Sequence, residues 1–411
     1  MIVPLIELRN VSKLFGPHAQ QGVKLLEEGW SKERLAKEKH LVVGVNRVSL
    51  EIHEGEIFVI MGLSGSGKST LVRMLNRLIE PTGGDILIRG KSIAKMSPNE
   101  LLELRRKTIS MVFQKFALLP HRNVVSNVEF GLEVQGVPKK ERRLKALQTL
   151  EMVGLKEWAE KMPDELSGGM QQRVGLARAI ANEPEILLMD EAFSALDPLI
   201  RRSMQDELLE LQLKMKKTIV FITHDLDEAL RIGDRIALMR EGSLIQVGTP
   251  EEMLIQPANE YVERFVEDVD LSKVLTAQHV MRRPETVSID RGPRVALQLM
   301  RERGISNLFV VDRAQTLLGV ISAQEASEAI QQNKTLEEIM VQEVPTVSPD
   351  VLLNELFEMM SAAKFPVAVV NENKRIVGAI VRGAVLGALA GQIPRAEVKA
   401  DVAAYPVGSL D

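Results

Sequence analysis

The chain has 411 residues, of which 45% are hydrophobic and 26% are charged, and its formal net charge is −4. This composition is typical of a globular protein with two or three domains, and the slight acidity argues against a general nucleic-acid-coating protein. There is no cysteine, which excludes a disulfide framework and thiolate metal sites. We predict no signal peptide, and no run of 18 apolar residues occurs, so work at a membrane would require other chains to hold this one there.

Residues 1 to about 265 alternate strand-type segments with helical segments, which predicts an α/β domain. Nearly continuous apolar runs, which are typical of strands buried on both faces of a parallel sheet, are GEIFVIMG (55–62), PEILLMDE (184–191) and KTIVFITH (217–224). Further strands are predicted at DILIRG (85–90) and RIALMR (235–240). Residues 123–165 are predicted to be helical throughout, as an insert between strands.

After residue 275 the sequence contains an internal repeat. The segment VMRRPETVSID…ISNLFVVDRAQTLLGVIS is followed by the similar IMVQEVPTVSPD…KFPVAVVNENKRIVGAIV. Val311 matches Val370 and Gly319 matches Gly378 at one constant spacing. Each copy is predicted as strand, helix, strand, turn, strand, helix, and we expect the two copies to bury their apolar faces against each other.

Residues 62–69, GLSGSGKS, fit the phosphate-loop pattern G-x-x-x-x-G-K-S, directly after a predicted strand and at the start of a predicted helix. The glycines allow backbone N–H groups to turn towards a phosphate, and the helix N-terminus favours an anion. A lysine in this position reaches the β- and γ-phosphates, and a serine ligates Mg²⁺. The residues predicted to bind the phosphates of ATP are Gly62, Ser64, Gly65, Ser66, Gly67, Lys68, Ser69 and Thr70.

The predicted strand ILLMDE (186–191) delivers two carboxylates to the same sheet edge. Asp190 is predicted to hold Mg²⁺ together with Ser69, and Glu191 is predicted to be the general base that accepts a proton from the attacking water. Alternatively, Glu191 is a solvated acid at a strand end. His224, at the end of TIVFITH, is predicted to contact the γ-phosphate and orient the water, although a lone histidine is more often structural.

Gln114, in MVFQK, is predicted to contact both Mg²⁺ and the water, as a catalytic and a metal-binding residue. The loop after it is expected to sense a neighbouring protein.

The segment LSGGMQQR (166–173) offers a second set of backbone N–H groups, from Ser167, Gly168 and Gly169, at the start of a helix. One ATP does not need two such sites from one chain, but it can use one from each of two chains. Together with SALD (194–197) and His224, these motifs over residues 1 to about 250 resemble the ABC transporter ATPase family. This resemblance implies two copies that sandwich two ATP molecules head to tail, with Asp197 contributing to the nucleotide site. Met170 stands where many members have glutamine.

The resemblance narrows to the ATP-binding subunits of glycine betaine/proline betaine importers. Its basis is an insertion at 20–40, predicted to be helical, with the segments at 58–82 and 190–202 and a C-terminal tandem repeat that resembles paired CBS domains. Phe15 is the candidate for stacking on adenine; the alternative is a buried core phenylalanine. The resemblance implies a membrane permease as partner, indirectly a substrate-binding protein or domain, no nucleic acid, and a location on the cytoplasmic face of the membrane.

The expected fold is an α/β ABC-type P-loop NTPase domain with a helical subdomain, followed by a tandem CBS (α+β) domain pair. The expected boundaries are 1–268 for the ATPase domain, about 115–180 for its helical subdomain, 269–331 and 332–395 for the CBS domains, and 396–411 for the tail. A soluble ABC ATPase of DNA repair or translation is the alternative function. Such proteins usually carry two nucleotide domains or a long coiled coil, which this sequence lacks.

In CBS domains, a Ser/Thr followed three positions later by an Asp typically grips the phosphate and ribose of an adenine nucleotide. The first repeat has Ser322 and Glu325 at these positions, whereas the second has Val381 and Ala384, with Arg382 left as a possible phosphate contact. We therefore expect at most one mononucleotide site per chain, or a cyclic dinucleotide such as cyclic di-AMP shared across a dimer. The alternative is that the repeats only dimerise.

Residues 139–145, KKERRLK, carry five positive charges and one negative charge. They are interpreted as a solvated helix face, and a contact with anionic lipid or an acidic segment is the alternative.

Overall fold

The computed structural model describes residues 3–113, 117–194, 196–267 and 269–389. The chain divides into two compact units, Met1–Val269 and Asp270–Asp411. Within the described residues, no helix has the length and apolar character that a membrane span requires.

The strands of the first unit are β1 (Ile6–Phe15), β2 (Val42–Ile52), β3 (Ile57–Met61), β4 (Gly83–Ile88), β5 (Lys91–Ser92), β6 (Ile109–Val112), β7 (Ile186–Asp190), β8 (Thr218–Thr223), β9 (Arg235–Arg240) and β10 (Ser243–Gly248). Its helices are α1 (Ala19–Glu27), α2 (Lys32–Lys39), α3 (Lys68–Leu75), α4 (Pro98–Glu103), α5 (Val124–Val134), α6 (Lys139–Met152), α7 (Gly168–Ile180), α8 (Pro198–Met215), α9 (Leu226–Ile232), α10 (Pro250–Ile255) and α11 (Glu260–Val266). Short 3₁₀ turns lie at 93–95, 156–158 and 163–165, and a π-helical turn at 104–108.

The central sheet has the strand order β10-β9-β3-β8-β7-β6. The contacts of β3 with β8 and β9, and of β7 with β6 and β8, are all parallel, whereas β10 pairs antiparallel with β9 at the edge. Every residue of β3, β7 and β8 is buried, which is why these strands are continuous apolar runs and do not alternate. The parallel strands end at one edge, where the phosphate loop, Glu191 and His224 follow β3, β7 and β8.

A second, antiparallel sheet has the order β2-β1-β4-β5. The predicted strand DILIRG lies in this sheet as β4, and not in the parallel sheet. The apolar side chains of the antiparallel sheet and of the central sheet form one core, which includes Ile6, Val48, Phe58 and Leu188. The predicted helical insertion is present as α1 and α2 between β1 and β2, and it packs around the buried Leu14, Leu35 and Leu41.

Helices α5, α6 and α7 surround a core of their own, which includes Val128, Leu150 and Val174. The prediction that 123–165 is helical throughout is wrong in detail. Gly136 has a φ of 81°, which is unfavourable for other residues, and Pro138 precedes the next helix, so α5 and α6 are separate.

The basic segment 139–145 forms the first half of α6, and much of its charge is neutralised within the helical subdomain. Arg142 and Arg143 lie 3.2 and 3.5 Å from the carboxylate of Glu129, whose side chain is 6% exposed. Arg143 also bonds Glu160, and Lys145 lies 3.5 Å from Glu183. The segment is therefore a partly exposed helix face, part of whose charge is paired with acidic residues, which argues against an open patch for anionic lipid.

The second unit contains the strands β11 (Thr286–Ser288), β12 (Asn307–Val311), β13 (Leu317–Ser322), β14 (Thr346–Val347), β15 (Val367–Val370) and β16 (Ile376–Ile380). Its helices are α12 (Ala277–Val280), α13 (Pro293–Arg303), α14 (Ala323–Gln332), α15 (Leu336–Ile339), α16 (Leu353–Ala362) and α17 (Arg382–Leu389), with a 3₁₀ turn at 271–273. The strands form two three-stranded sheets, β11-β12-β13 and β14-β15-β16. Each repeat therefore has the predicted order of elements and a short preceding helix that the sequence pattern did not indicate.

The two repeats are related by an approximate two-fold axis. Arg282 exchanges two 2.9 Å backbone hydrogen bonds with Ala379, and the equivalent pair Val341 and Val320 does the same. A shared core that includes Phe309, Val311, Ala368 and Ile376 lies between the sheets, as expected from the sequence.

Candidate nucleotide site

Two glycines of the phosphate loop allow close packing against neighbouring strands, and a third leaves one side of the loop open. Gly62, Gly65 and Gly67 have φ values of 144°, 78° and 99°, which favour glycine. A Cβ at Gly62 would lie 2.1 Å from the Met239 carbonyl oxygen, and one at Gly67 would lie 2.3 Å from that of Gly44. A Cβ added at Gly65, by contrast, would meet no other part of the chain within 4 Å. The loop is thus held against β9 and β2, and its Gly65 side is open.

Lys68 and Ser66 have polar groups that a nucleotide phosphate would complement. The Lys68 ammonium donates to the carbonyl oxygens of Gly62 at 2.7 Å and Leu63 at 3.1 Å. Burial lowers the pKa of Lys68, an effect that the carboxylates of Glu191 and Asp190 oppose. The Ser66 hydroxyl is buried and has no hydrogen-bond partner in the structure. An ammonium, an orphaned hydroxyl and an open glycine side together fit an anionic phosphate group.

The proposed metal ligands lie side by side. Ser69 Oγ donates to Asp190 Oδ1 at 2.9 Å, and Arg73 Nη2 lies 3.1 Å from Asp190 Oδ2. Asp190 is only 2% exposed. Among the described residues, no group of three or more acidic or histidine side chains forms a metal cage. One hydroxyl and one carboxylate fit Mg²⁺, which typically uses few protein ligands together with phosphate oxygens and water. Gln114 lies outside the described residues.

Glu191 and His224 lie together because β7 and β8 are parallel neighbours with Asp190 opposite Ile222. His224 Nδ1 is 3.5 Å from Glu191 Oε1, and their side chains are 56% and 20% exposed. Glu191 has a φ of 47°, a conformation that is uncommon for a residue with a side chain and often marks a functional site. Its carbonyl accepts from the N–H and the hydroxyl of Ser194, which holds this turn. The arrangement suits a carboxylate and an imidazole that face one water molecule.

Phe15 ends β1 and is 41% exposed, so it is not a buried core residue. The Lys13 ammonium lies 5.1 Å from its ring centroid. Gly44 separates the ring from the phosphate loop, because a Cβ there would lie 2.8 Å from the Phe15 ring while its carbonyl oxygen abuts Gly67. The ring is thus exposed and separated from the phosphate loop by Gly44, and its stacking on the base of a nucleotide stays a prediction.

Ser167, Gly168 and Gly169 form the start of α7, in the helical subdomain. Ser167 Oγ accepts from the backbone N–H of Met170, so the hydroxyl caps this helix. A Cβ at Gly168 would meet nothing within 4 Å. Asp197 caps α8 in the same way, since its Oδ1 accepts from the N–H groups of Leu199 and Ile200. Ser167 thus caps a helix of the helical subdomain, and Asp197 caps α8. That these residues contact a nucleotide held by a second copy stays a prediction.

The structure shows three further residues of the site that the sequence motifs did not indicate. Arg73 balances the buried charge of Asp190. Gly44 makes the close approach between β2 and the phosphate loop. Gly242, in the turn after β9, donates to the carbonyl of Ser66 at 2.9 Å and accepts from the N–H of Asn46 at 2.7 Å. The only sequence signal for the last contact was a glycine in a tight turn between two strands.

Comparison with known proteins gives the family. The family model described as ABC transporter matches residues 45–194, and the one described as CBS domain matches residues 277–332 and 336–391. Glycine betaine transport ATP-binding protein OpuAA of Bacillus subtilis is 60% identical over 94% of this chain and 92% of its own length. The E. coli glycine betaine/proline betaine transport system ATP-binding protein ProV is 51% identical over 93% of this chain and 97% of its own length.

Among solved structures, a dimeric post-hydrolysis state of the ATP-binding cassette MJ0796 bound to ADP and Pi is 34% identical, with a TM-score of 0.51, and the match covers 60% of this chain and 98% of that one. The chain belongs to the ABC transporter ATP-binding subunits. It is therefore an ATPase that uses ATP and Mg²⁺.

The paired CBS domains of this ABC ATPase use their candidate ligand residues for local structure. Ser322 and Glu325 form a reciprocal capping box at the start of α14, with bonds of 2.8 and 3.2 Å. Arg382 donates to the carbonyls of Met360, Ser361 and Ala363, at the end of α16. Val381 is 39% exposed. A nucleotide at either repeat would have to share or displace these hydrogen bonds.

Replacing Glu191 with glutamine should leave ATP binding intact and reduce hydrolysis by about 10²–10⁴-fold, because the amide cannot accept the proton. Single-turnover hydrolysis and nucleotide-binding measurements check this. Glu185→Gln, just before the opposite end of β7, is the matched control and should retain activity, while Lys68→Ala should weaken nucleotide binding. Near-normal turnover of Glu191→Gln would remove Glu191 from the role of base.

Replacing Phe15 with alanine should raise the dissociation constant for ATP by about 5–150-fold, since stacking on a base is worth about 1–3 kcal/mol. Phe15→Tyr should restore affinity, and Phe130→Ala, at a partly exposed ring of the helical subdomain, should leave it unchanged. Equal affinities of Phe15→Ala and the unmodified chain would show that the ring does not carry the base.

Proposed function

We propose that the chain hydrolyses ATP to power the uptake of a compatible solute, such as glycine betaine or proline betaine, through a membrane permease during osmotic stress. The observation that supports it most is the near full-length similarity to glycine betaine transport ATP-binding proteins, including the CBS unit. A further relative at 56% identity is the glycine betaine/carnitine transport ATP-binding protein GbuA of Listeria monocytogenes, over 98% of its length. Another quaternary amine or an amino acid is the alternative solute.

The working form that we propose is a head-to-tail pair of chains. The phosphate loop, Glu191 and His224 lie at one sheet edge, while Ser167 and Gly169 begin a helix in the separately packed helical subdomain. Each ATP would then contact the phosphate loop of one copy and the Ser167 segment of the other. The described neighbour MJ0796, solved as a dimer, is compatible with this arrangement.

In this mechanism the chain supplies positions and charges. Phe15 holds the base, while Lys68 and the loop amides hold the phosphates. Mg²⁺, held by Ser69 and Asp190, would offset the charge that builds up on the phosphates. Glu191 accepts a proton from the attacking water, which His224 orients. Separation of the two copies after hydrolysis would reset the permease.

The location that we propose is the inner face of the membrane, where the Gln114 loop and the helical subdomain would form the groove for a cytoplasmic helix of the permease. Residues 115–124 would line it, although 115 and 116 lie outside the described residues. A substrate-binding protein or domain would deliver the solute on the other side. A soluble ATPase of DNA repair or translation would show no such partner, so co-purification with an integral membrane protein separates the two functions.

The purified chain should be a weak ATPase, and its activity should rise when it is reconstituted with its permease, because each site needs residues of a second, correctly placed copy. Vesicles that hold the complex should accumulate glycine betaine in an ATP-dependent manner. The Glu191→Gln complex is the matched control and should not transport. High activity of the isolated chain that does not respond to the permease would contradict the transporter function, whereas stimulated activity without betaine uptake would contradict only the solute.

The CBS unit is proposed to regulate transport through an adenine-containing ligand. Calorimetry on the full-length Lys68→Ala chain, in which the main nucleotide site is weakened, should show at most one AMP or ATP site per chain, or one cyclic di-AMP per pair of chains. We expect no second equal site because Ser322 of the first repeat can hydrogen-bond to a nucleotide, whereas Val381, at the matching position of the second repeat, cannot. Two equal AMP sites, or no heat with any of the three ligands, would contradict the proposal.

A further inference from the structure

The first turn of α8 lies beside the loops after β7 and β8, which contain the predicted catalytic residues Glu191 and His224. Asp197 caps this helix, so the orientation of the residues that follow is well defined. Ile200, one turn in, is in close contact with Gly169 of α7, since a Cβ added there would lie 2.8 Å from Ile200 Cγ2. Arg201 follows directly, and its side chain is directed to the loops after β7 and β8.

Arg201 bonds both of these loops at once. Its Nη2 donates to the Leu196 carbonyl oxygen at 3.1 Å, and its Nη1 lies 3.3 Å from Asp225 Oδ2. The side chains of Arg201 and Asp225 are 27% and 35% exposed, so this ion pair is partly shielded from water. Leu196 is part of the loop that begins at Glu191, and Asp225 directly follows His224. One guanidinium therefore joins the segments that carry the two predicted catalytic side chains.

Asp225 in turn restrains the backbone beside His224. Its Oδ1 accepts from the N–H of Glu228 at 3.2 Å and so caps α9. Its own N–H donates to Thr223 Oγ1 at 3.0 Å. Asp225 thus holds the backbone on both sides of His224, through its N–H and its carboxylate, and Arg201 contacts the same carboxylate.

We propose that Arg201 is a positioning residue for ATP hydrolysis, which fastens the Glu191 loop to the His224 loop and thereby maintains the 3.5 Å approach of the two side chains. It acts through Leu196 and Asp225, and not on the substrate. The two loops leave separate strands, and the other bonds between α8 and α9, from Gln205 to Glu228 and from Arg231 to Asp206, lie further along the helices. A displacement of about 1 Å between reacting groups costs up to about 10²-fold in rate.

The proposal makes a kinetic distinction between binding and chemistry. Phe15 and the phosphate loop, which we propose to bind ATP, lie on other elements than Arg201. Loss of the guanidinium should therefore lower kcat by about 10- to 100-fold and leave KM for ATP within about twofold of its original value. A lysine at this position keeps the charge but lacks the planar fork that reaches two acceptors, so its kcat should be intermediate.

The experiment measures kcat and KM for steady-state ATP hydrolysis by the full-length chain and its variants Arg201→Met, Arg201→Lys and Asp225→Asn. Asparagine at 225 keeps the cap on α9 and loses the charge that faces Arg201. The matched control is Arg231→Met, which removes another arginine that bridges α8 and α9, through a 2.6 Å contact with Asp206 away from the loops. This control should retain the original kcat.

The double variant Arg201→Met/Asp225→Asn should be no slower than the slower single variant, because the two residues act as one unit. Additive losses, a parallel rise in KM, or the same loss of kcat in Arg231→Met would overturn the proposal. If Arg201→Met does not fold, Arg201→Lys and Asp225→Asn carry the same test: unchanged kcat in both would overturn it, and lowered kcat with unchanged KM would support it.

Discussion

The buried carboxylate of Asp190 is the constraint on which the rest of the nucleotide site depends. A carboxylate that is removed from water is costly unless hydrogen bonds and an opposite charge compensate it. Ser69 and Arg73 provide these from one face of α3, at positions four residues apart. Helix α3 must therefore lie beside the end of β7, which places the phosphate loop at its start next to Glu191 at the strand end.

The antiparallel sheet completes the site from the other side. Gly67 lets the phosphate loop approach the Gly44 carbonyl oxygen of β2 more closely than a side chain at position 67 would permit, and β1 presents Phe15 beside Gly44. The helices of the insertion pack on Leu14 and Leu41, directly before Phe15 and Val42 in the two paired strands. The insertion thus adds a small core beside the proposed base platform and leaves the Phe15 ring partly exposed.

The CBS unit shows how a repeated fold becomes asymmetric without losing its pairing. Backbone bonds and the shared core preserve the two-fold relation, because they depend on strand geometry and apolar volume. The positions at the starts of α14 and α17 have diverged, since Ser322 caps its own helix whereas Arg382 caps the end of α16. Regulation by a ligand would therefore be expected to act differently on the two repeats.

The sequence by itself determined the buried strands β3, β7 and β8, the phosphate-loop pattern, the carboxylates of β7 and the tandem repeat, because these depend on local periodicity and short spacing. It did not determine that β4 belongs to the antiparallel sheet, or that Gly136 and Pro138 divide the helical segment. Only the tertiary structure decided the partners of Arg73 and Arg201, since ion pairs between distant segments leave no local pattern. It likewise decided that Phe15 is exposed, because exposure depends on how β2 and the insertion pack around the end of β1.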